Sequence, residues 1–147
     1  MRFLDAYTTV GAAELLYDLL RERSDEPHIN VSHQELPDFG MHLKFVRSEP
    51  YRIWCVIQDQ RGENVGQISV TRLNEVGVGI FKDRRGEGFA TEALQKLIAE
   101  YKPLPNVPSQ RRARFVANIN PANNISIKLF EGLGFKHIQN TYELADV

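Results

Sequence analysis

Apolar positions recur along this chain with two different periods, and together they predict an alternation of helices and strands. Apolar residues three and four positions apart are typical of a helix that packs on one side, whereas alternating or continuous apolar runs are typical of strands. The predicted helices are residues 10–23, 37–47, 89–101 and 121–133. The predicted strands are residues 2–7, 51–57, 65–71, 75–81, 114–119 and 136–144.

The connections between these segments predict the topology. The turn at residues 60–64 joins two strands as a hairpin, and the chain continues into 75–81 as an antiparallel meander. Helix 89–101 then leads to strand 114–119, a β–α–β unit that crosses over right-handed and pairs its strands in parallel. The fold class is therefore mixed α/β or α+β, with one mostly antiparallel sheet covered by helices.

Composition narrows the classes of protein that this chain can belong to. The 147 residues are 42% apolar and carry a formal net charge of -1, which favours one domain over residues 1–147 and gives no reason to expect a nucleic-acid partner. The one cysteine, Cys55, lies in a predicted buried strand and is interpreted as a core residue. Without an apolar run near ~18 residues or metal-ligand spacing, we expect a cytoplasmic protein with no membrane partner and no metal.

A glycine-bearing turn joins strand 75–81 to helix 89–101. It reads Arg-Gly-Glu-Gly-Phe-Ala over residues 85–90. Glycines leave backbone N–H groups unshielded, the first turn of a helix has donors without intrahelical acceptors, and the helix dipole favours an anion there. The turn therefore predicts a site for a phosphate-bearing ligand, and the alternative is a simple helix cap.

A second motif lies in the last predicted helix, where residues 123–135 read Asn-Asn-Ile-Ser-Ile-Lys-Leu-Phe-Glu-Gly-Leu-Gly-Phe. Together the two motifs resemble the GNAT superfamily of acetyl-CoA-dependent N-acetyltransferases. Arg85, Gly88 and Ala90 fit the family's pattern Gln/Arg-x-x-Gly-x-Gly/Ala, and the second motif resembles the family's later helix with its closing Leu-Gly-Phe turn. The resemblance covers residues 51–144 as the acetyl-CoA-binding core and leaves residues 1–50 as acceptor-side helices.

The resemblance implies that acetyl-CoA is bound as co-substrate where the two parallel strands splay apart. The backbone at Ile80, Phe81 and Lys82 would bind the pantetheine amides, beside a bulge that Gly77 and Gly79 would ease; these glycines could equally mark close helix packing. The residues expected to hold the diphosphate are Arg85, Gly86, Glu87, Gly88, Phe89 and Ala90.

Further cofactor contacts are expected after this loop. Asn123, Ser126 and Phe130 share one stripe of the last helix, which the resemblance places against the thioester arm, and Asn118 at the end of strand 114–119 is a further candidate. The alternatives are that Asn123 caps the helix and that Phe130 is ordinary core.

For catalysis, the resemblance implies direct attack of a primary amine, from a small molecule or a peptide, on the thioester within a ternary complex. Glu75 is the candidate base, since family members with a catalytic glutamate carry it on this strand; the alternative is a solvated strand-edge glutamate. His33 and His42 are weaker candidates. Many family members have a tyrosine acid where Phe130 stands, so Tyr142 or a water would have to replace it.

The missing tyrosine leaves a second interpretation open, a non-catalytic domain that binds acyl-CoA and regulates. The acceptor amine is not named by any motif. Both a monomer and a homodimer paired through the last strand remain compatible with the sequence.

Overall fold

The computed structural model describes residues 1–26 and 35–146. Four strands form one antiparallel sheet in the order β1-β2-β3-β4, with helices before and after it. In chain order the elements are β1 (Arg2–Asp5), α1 (Ala12–Ser24), α2 (Phe39–Arg47), β2 (Ile53–Gln58), β3 (Asn64–Val70), β4 (Val76–Ile80), α3 (Phe89–Glu100) and α4 (Asn124–Gly132), with a short 3-10 turn at Lys82–Arg84. This mixed α/β architecture confirms the predicted fold class.

Helices cover both faces of the sheet, because side chains of each strand point alternately to the two sides. Trp54 and Val56 of β2 pack with α1 and α2, whereas Cys55 and Ile57 join a second core with α3 and Phe130 of α4. Ile57 is fully buried. Burial of a side chain of this size stabilises the fold by roughly 1.5–3 kcal/mol.

A buried histidine of α2 contacts α1. His42 of α2 is 4% exposed, and its Nε2 lies 2.9 Å from the carbonyl oxygen of Ala13 at the start of α1. A carbonyl only accepts, so Nε2 carries the proton and donates. His42 therefore has a structural contact, whereas His33 lies outside the described residues.

Gly66 allows β3 and β4 to pair closely and without interruption. A Cβ at Gly66 would lie 2.1 Å from the carbonyl oxygen of Gly79, a distance no side chain tolerates. The ladder consequently runs in register from Val70–Val76 to Gly66–Ile80, and the predicted bulge in this strand is wrong. The irregularity lies in the β2–β3 ladder instead, between Ile57 and Gln58. The other interpretation of Gly79 fits, since a Cβ there would lie 3.5 Å from Leu19 of α1.

The predicted strand at residues 114–119 is reduced to a single parallel bridge between Glu75 and Val116. The N–H of Val76 donates to the Val116 carbonyl at 2.8 Å, and the N–H of Val116 donates to the Asn74 carbonyl at 2.9 Å. Beyond this bridge residues 114–119 form no ladder with β4. The side-chain alternation is nevertheless as predicted, because the residues that pack against the second core are Phe115, Ala117 and Ile119.

The predicted strand at residues 136–144 does not form in the structure. Its apolar side chains are exposed: Ile138 by 47%, Tyr142 by 88% and Leu144 by 96%. Alternation of apolar residues favours a strand only where one face is covered, and nothing in the described part of the chain covers this one. No helix of the described residues is long and apolar enough to cross a membrane.

Candidate functional site

The turn at residues 85–90 presents backbone donors at the start of α3. Gly86 and Gly88 have φ values of 81° and 83°, the left-handed conformation that glycine adopts without strain, and a Cβ at either would meet no atom within 4 Å. The first helical bond runs from the N–H of Glu92 to the carbonyl of Gly88, at 3.1 Å. The N–H groups of Phe89 and Ala90 therefore have no helical acceptor, and Gly88 has no side chain with which to cap them.

Arg84 connects this turn to the β2–β3 hairpin through ion pairs. Its guanidinium contacts Asp59 at 2.8 Å, Glu63 at 3.0 Å and Glu87 at 3.2 Å, and it lies 5.2 Å from the ring centroid of Phe89. The hydrogen bond from Arg84 is the main cause that holds the pKa of Asp59 below its usual value. Arg84 is not recognisable from the sequence, because its partner Asp59 lies 25 residues away and no local spacing connects the two.

A polar cavity of about 350 Å³ lies beside this Arg84 cluster. Its lining residues are Met1, Asp59, Gln60, Arg61, Arg84, Glu87, Phe89 and Glu92. Carboxylates line it, and they would repel a diphosphate. The backbone N–H groups of the turn are therefore the better candidate for an anion site than this cavity.

The outer edge of β4 offers backbone groups next to the turn. The N–H of Val76 points away from β3 to Val116, whereas the N–H of Phe81 points to the Val65 carbonyl of β3 at 3.0 Å. Because N–H directions alternate along a strand, the N–H of Ile80 points away from β3 towards the open edge. The N–H of Lys82 donates to Glu22 of α1 at 3.0 Å. Of the three residues predicted to bind pantetheine, Ile80 is thus the one whose amide faces the edge.

Arg85 folds back over this edge. Its Nε donates to the Ile80 carbonyl at 3.3 Å, and its Nη1 contacts Glu26 at 3.1 Å. Lys82 Nζ lies 3.4 Å from the same carboxylate. The hydrogen bond from Arg85 is the main cause that lowers the pKa of Glu26. The carboxylate of Glu26 thus occupies the two cations that a phosphate would attract.

Glu75, the predicted base, is held by hydrogen bonds to both oxygens of its carboxylate. The Thr71 hydroxyl donates to Oε1 at 2.9 Å, and the Asn118 amide donates to Oε2 at 2.5 Å. The structure therefore brings together two residues, Glu75 and Asn118, that the sequence analysis assigned to different roles.

On α4 the structure favours the structural alternatives. Asn123 is the N-cap, since its Oδ1 accepts from the N–H of Ser126 at 3.1 Å. Phe130 is 5% exposed and packs edge-on against Phe135, with ring centroids 5.0 Å apart. The Leu-Gly-Phe turn closes the helix through the left-handed Gly134, with the N–H of Phe135 donating to the Phe130 carbonyl at 3.0 Å.

Tyr142 is not brought to this site, because its side chain is 88% exposed in the segment that forms no strand.

Tyr51 is an ionisable residue near Glu75 that was not predicted as part of the site. Burial raises its pKa most strongly, while the charge of Arg23 lowers it and that of Glu75 raises it, so these groups share one electrostatic environment. Its ring packs 4.8 Å from that of Trp54. Only its place at the start of an apolar run could have drawn attention to it.

Comparisons with known proteins agree with these motifs. The family model described as Acetyltransferase (GNAT) domain matches residues 16–136. A search of curated proteins found no match.

Among solved structures, similarity extends over most of the chain. Ribosomal-protein-alanine N-acetyltransferase from Brucella melitensis has a TM-score of 0.71 at 18% identity, covering 95% of this chain and 86% of that one. Phosphinothricin acetyltransferase from Sinorhizobium meliloti, in complex with AcCoA, has a TM-score of 0.65 at 20% identity, covering 92% and 74%. A mutant spermidine N-acetyltransferase from Vibrio cholerae has a TM-score of 0.61 at 15% identity, covering 94% and 79%. At these identities the similarity establishes the fold.

Proposed function

Since the chain belongs to the GNAT acetyltransferase family, we propose that it transfers the acetyl group of acetyl-CoA to a primary amine by direct attack in a ternary complex. One observation carries the proposal: uncapped N–H groups at the start of α3 lie next to the open edge of β4. A diphosphate and an extended amide-bearing arm need these two surfaces side by side. We take residues 1–147 as one N-acetyltransferase domain, with residues 1–50 on the acceptor side and 51–144 forming the core.

In this proposal the turn before α3 and the open edge of β4 bind different parts of acetyl-CoA. The diphosphate accepts from the backbone N–H groups of Gly86 to Ala90, and Arg85 exchanges its contact with Glu26 for a phosphate oxygen. The pantetheine arm runs along the open edge of β4 and brings the thioester to the N–H of Ile80. On α4 the stripe of Asn123, Ser126 and Phe130 borders the thioester, a role that is compatible with the capping and packing contacts of these residues.

Proton removal is assigned to Glu75 acting through water. An amine with a pKa near ~10 is mostly protonated at neutral pH and must lose a proton before it can attack. Glu75 and Ile80 are five residue steps apart, about 16 Å along the strand, so a relay of water rather than direct contact carries the proton.

Carbonyl chemistry takes place at the edge of β4. The neutral amine attacks the thioester carbon, the N–H of Ile80 stabilises the developing oxyanion, the attacking nitrogen loses its extra proton to water, and the carbon–sulfur bond breaks. A thiol with a pKa near ~8.5 leaves as thiolate without strong acid help, which fits Phe130 in place of a tyrosine. Because Tyr142 is exposed, we assign the final protonation of the thiolate to water.

The test is a panel of amines. The three relatives described above are named for a ribosomal-protein alanine, phosphinothricin and spermidine. An alanine-starting peptide, phosphinothricin and spermidine therefore open the panel, which extends to other primary amines. Free thiol is measured against time, and mass spectrometry locates the acetyl group. We expect thiol release that depends on an amine, with the acetyl group on its nitrogen.

A non-catalytic acyl-CoA-binding domain is the second candidate, and Phe130 at the position of the usual tyrosine favours it. It predicts that acetyl-CoA binds and that no amine in the panel is acetylated. Absence of acetyl-CoA binding by folded protein would contradict both functions.

A further inference from the structure

We propose that Asn118 and Thr71 are positioning residues that hold the Glu75 carboxylate in place for proton removal. The inference rests on the proposed function and extends it, since it takes Asn118 away from cofactor binding and gives it to the base. Thr71 and Asn118 reach the carboxylate from two different parts of the chain.

Thr71 has one proton to donate, and its hydrogen bonds commit that proton to Glu75. The Thr71 oxygen accepts from the backbone N–H of Leu73 and from that of Glu75, each at 3.1 Å. Its lone pairs are thereby used by two donors, so the hydroxyl hydrogen points to Glu75 Oε1, 2.9 Å away. The turn between β3 and β4 therefore builds a fixed donor for the carboxylate.

Asn118 approaches from the side of β4 that faces away from β3. It lies two residues after Val116, the residue that bridges to Glu75, in a segment that leaves β4 beyond this bridge. Its Nδ2 donates to Oε2 at 2.5 Å, so the carboxylate spans from β4 to residues 114–119. The amide donor is uncharged, so it adds no opposite charge beside the carboxylate.

The two hydrogen bonds fix the rotation of the carboxylate at the single bridge between β4 and residues 114–119. A proton relay through water requires the accepting oxygen to stay aligned with the water, and a displacement near 1 Å costs about 10²-fold in rate. Loss of either donor should therefore lower turnover. Neither donor has to touch acetyl-CoA, so its affinity should be unchanged.

The experiment compares Asn118→Leu, Thr71→Val, Thr71→Ser and Glu75→Gln with the unchanged protein. Leu matches the shape of Asn without a donor, Val matches the shape of Thr without the hydroxyl, and Ser keeps the hydroxyl as the control. Acetyl-CoA affinity is measured by calorimetry. Turnover is measured as thiol release with the best amine of the panel, or with water as nucleophile if no amine reacts. Circular dichroism verifies folding.

We expect Asn118→Leu and Thr71→Val to lower kcat by about 10- to 100-fold, with the Kd of acetyl-CoA within about twofold of the original value. Thr71→Ser should keep kcat near its original value, and Glu75→Gln should lose at least as much kcat as either positioning variant.

Three results would overturn the inference. A tenfold weaker binding of acetyl-CoA in Asn118→Leu at unchanged kcat would make Asn118 a cofactor contact. Unchanged kcat in Asn118→Leu and Thr71→Val, with Glu75→Gln inactive, would remove the positioning role and leave the proposed function intact. Full activity of Glu75→Gln would remove both the base and its positioning. If the unchanged protein does not bind acetyl-CoA, this result would instead contradict the proposed function itself.

Discussion

Cys55 illustrates how the fold suppresses the chemistry of a single residue. It is 7% exposed within the core beneath α3, and burial raises its pKa to about 11. The reactive form of cysteine is the thiolate, so at neutral pH this side chain is a neutral apolar group. Cys55 therefore contributes packing to the sheet and no nucleophile, as its place in an apolar strand predicts.

The unreactive state of Cys55 can be tested by alkylation. We expect folded protein at pH 8 to react with iodoacetamide at least about 100-fold more slowly than the same protein in denaturant, since burial removes both access and thiolate. Mass spectrometry follows the modified fraction with time. Comparable rates in the two conditions would show that the thiol is accessible in the folded protein.

Individual residues also show what sequence reasoning can and cannot reach. Glu75 was predicted as the base and Asn118 as a cofactor contact, whereas the hydrogen bond between them, which joins positions 43 residues apart, could not be predicted. The same limit hid Arg84, whose acidic partners Asp59 and Glu63 lie in another turn. Residue type and local spacing are visible in a sequence, whereas long-range partners depend on how the strands pair.

Among the elements, the turn before α3 depends for its conformation on its attachment to the β2–β3 hairpin. Arg84 contacts carboxylates on both, and the N–H groups at Gly86 and Gly88 can bind an anion only if the turn is held in shape. A preorganised site binds more tightly because less ordering is required on binding.

Substitution of Arg84 tests this attachment. We expect Arg84→Met to raise the Kd of acetyl-CoA about tenfold with little change in kcat, because the turn loses its preorganised shape. Arg61→Met is the matched control, since Arg61 lies in the same hairpin and its backbone rather than its guanidinium bonds Asp59. Calorimetry measures the Kd of acetyl-CoA for both variants, and an unchanged Kd in Arg84→Met would contradict the role of Arg84 in holding the turn.

The strands and helices also differ in how well their patterns predicted them. Strands β1 to β4 and all four helices fall within or next to their predicted ranges, because turns and apolar periods are local signals. Residues 114–119 alternate as a strand would and pack Phe115 against the core, but they pair with β4 at one bridge alone. Alternating apolar residues indicate that one face of a segment is covered, but they do not indicate that the backbone pairs with another strand. For this reason the strand predictions for residues 114–119 and 136–144 failed.

At the scale of the whole molecule, the candidate site lies where the N-terminal turn of α3 meets the open edge of β4. One core supports α3 and its N-terminal turn, the other supports α1 and α2, and β4 is the edge strand of the sheet between them. Glu22 of α1 and Glu26 just after this helix contact Lys82 and Arg85 at this edge, so α1 is linked directly to the proposed cofactor site.

Calorimetric titration of CoA into Gly88→Glu and Gly11→Glu tests the central claim, that main-chain N–H groups of the turn bind the diphosphate. Gly88 and Gly11 are both N-caps with φ of 83° and no atom within 4 Å of a Cβ, so the two substitutions carry equal backbone strain and charge. We expect Gly88→Glu to weaken CoA binding at least about 100-fold, by bulk and repulsion at the anion site, while Gly11→Glu binds as before. Equal CoA affinity in the two folded variants would contradict it.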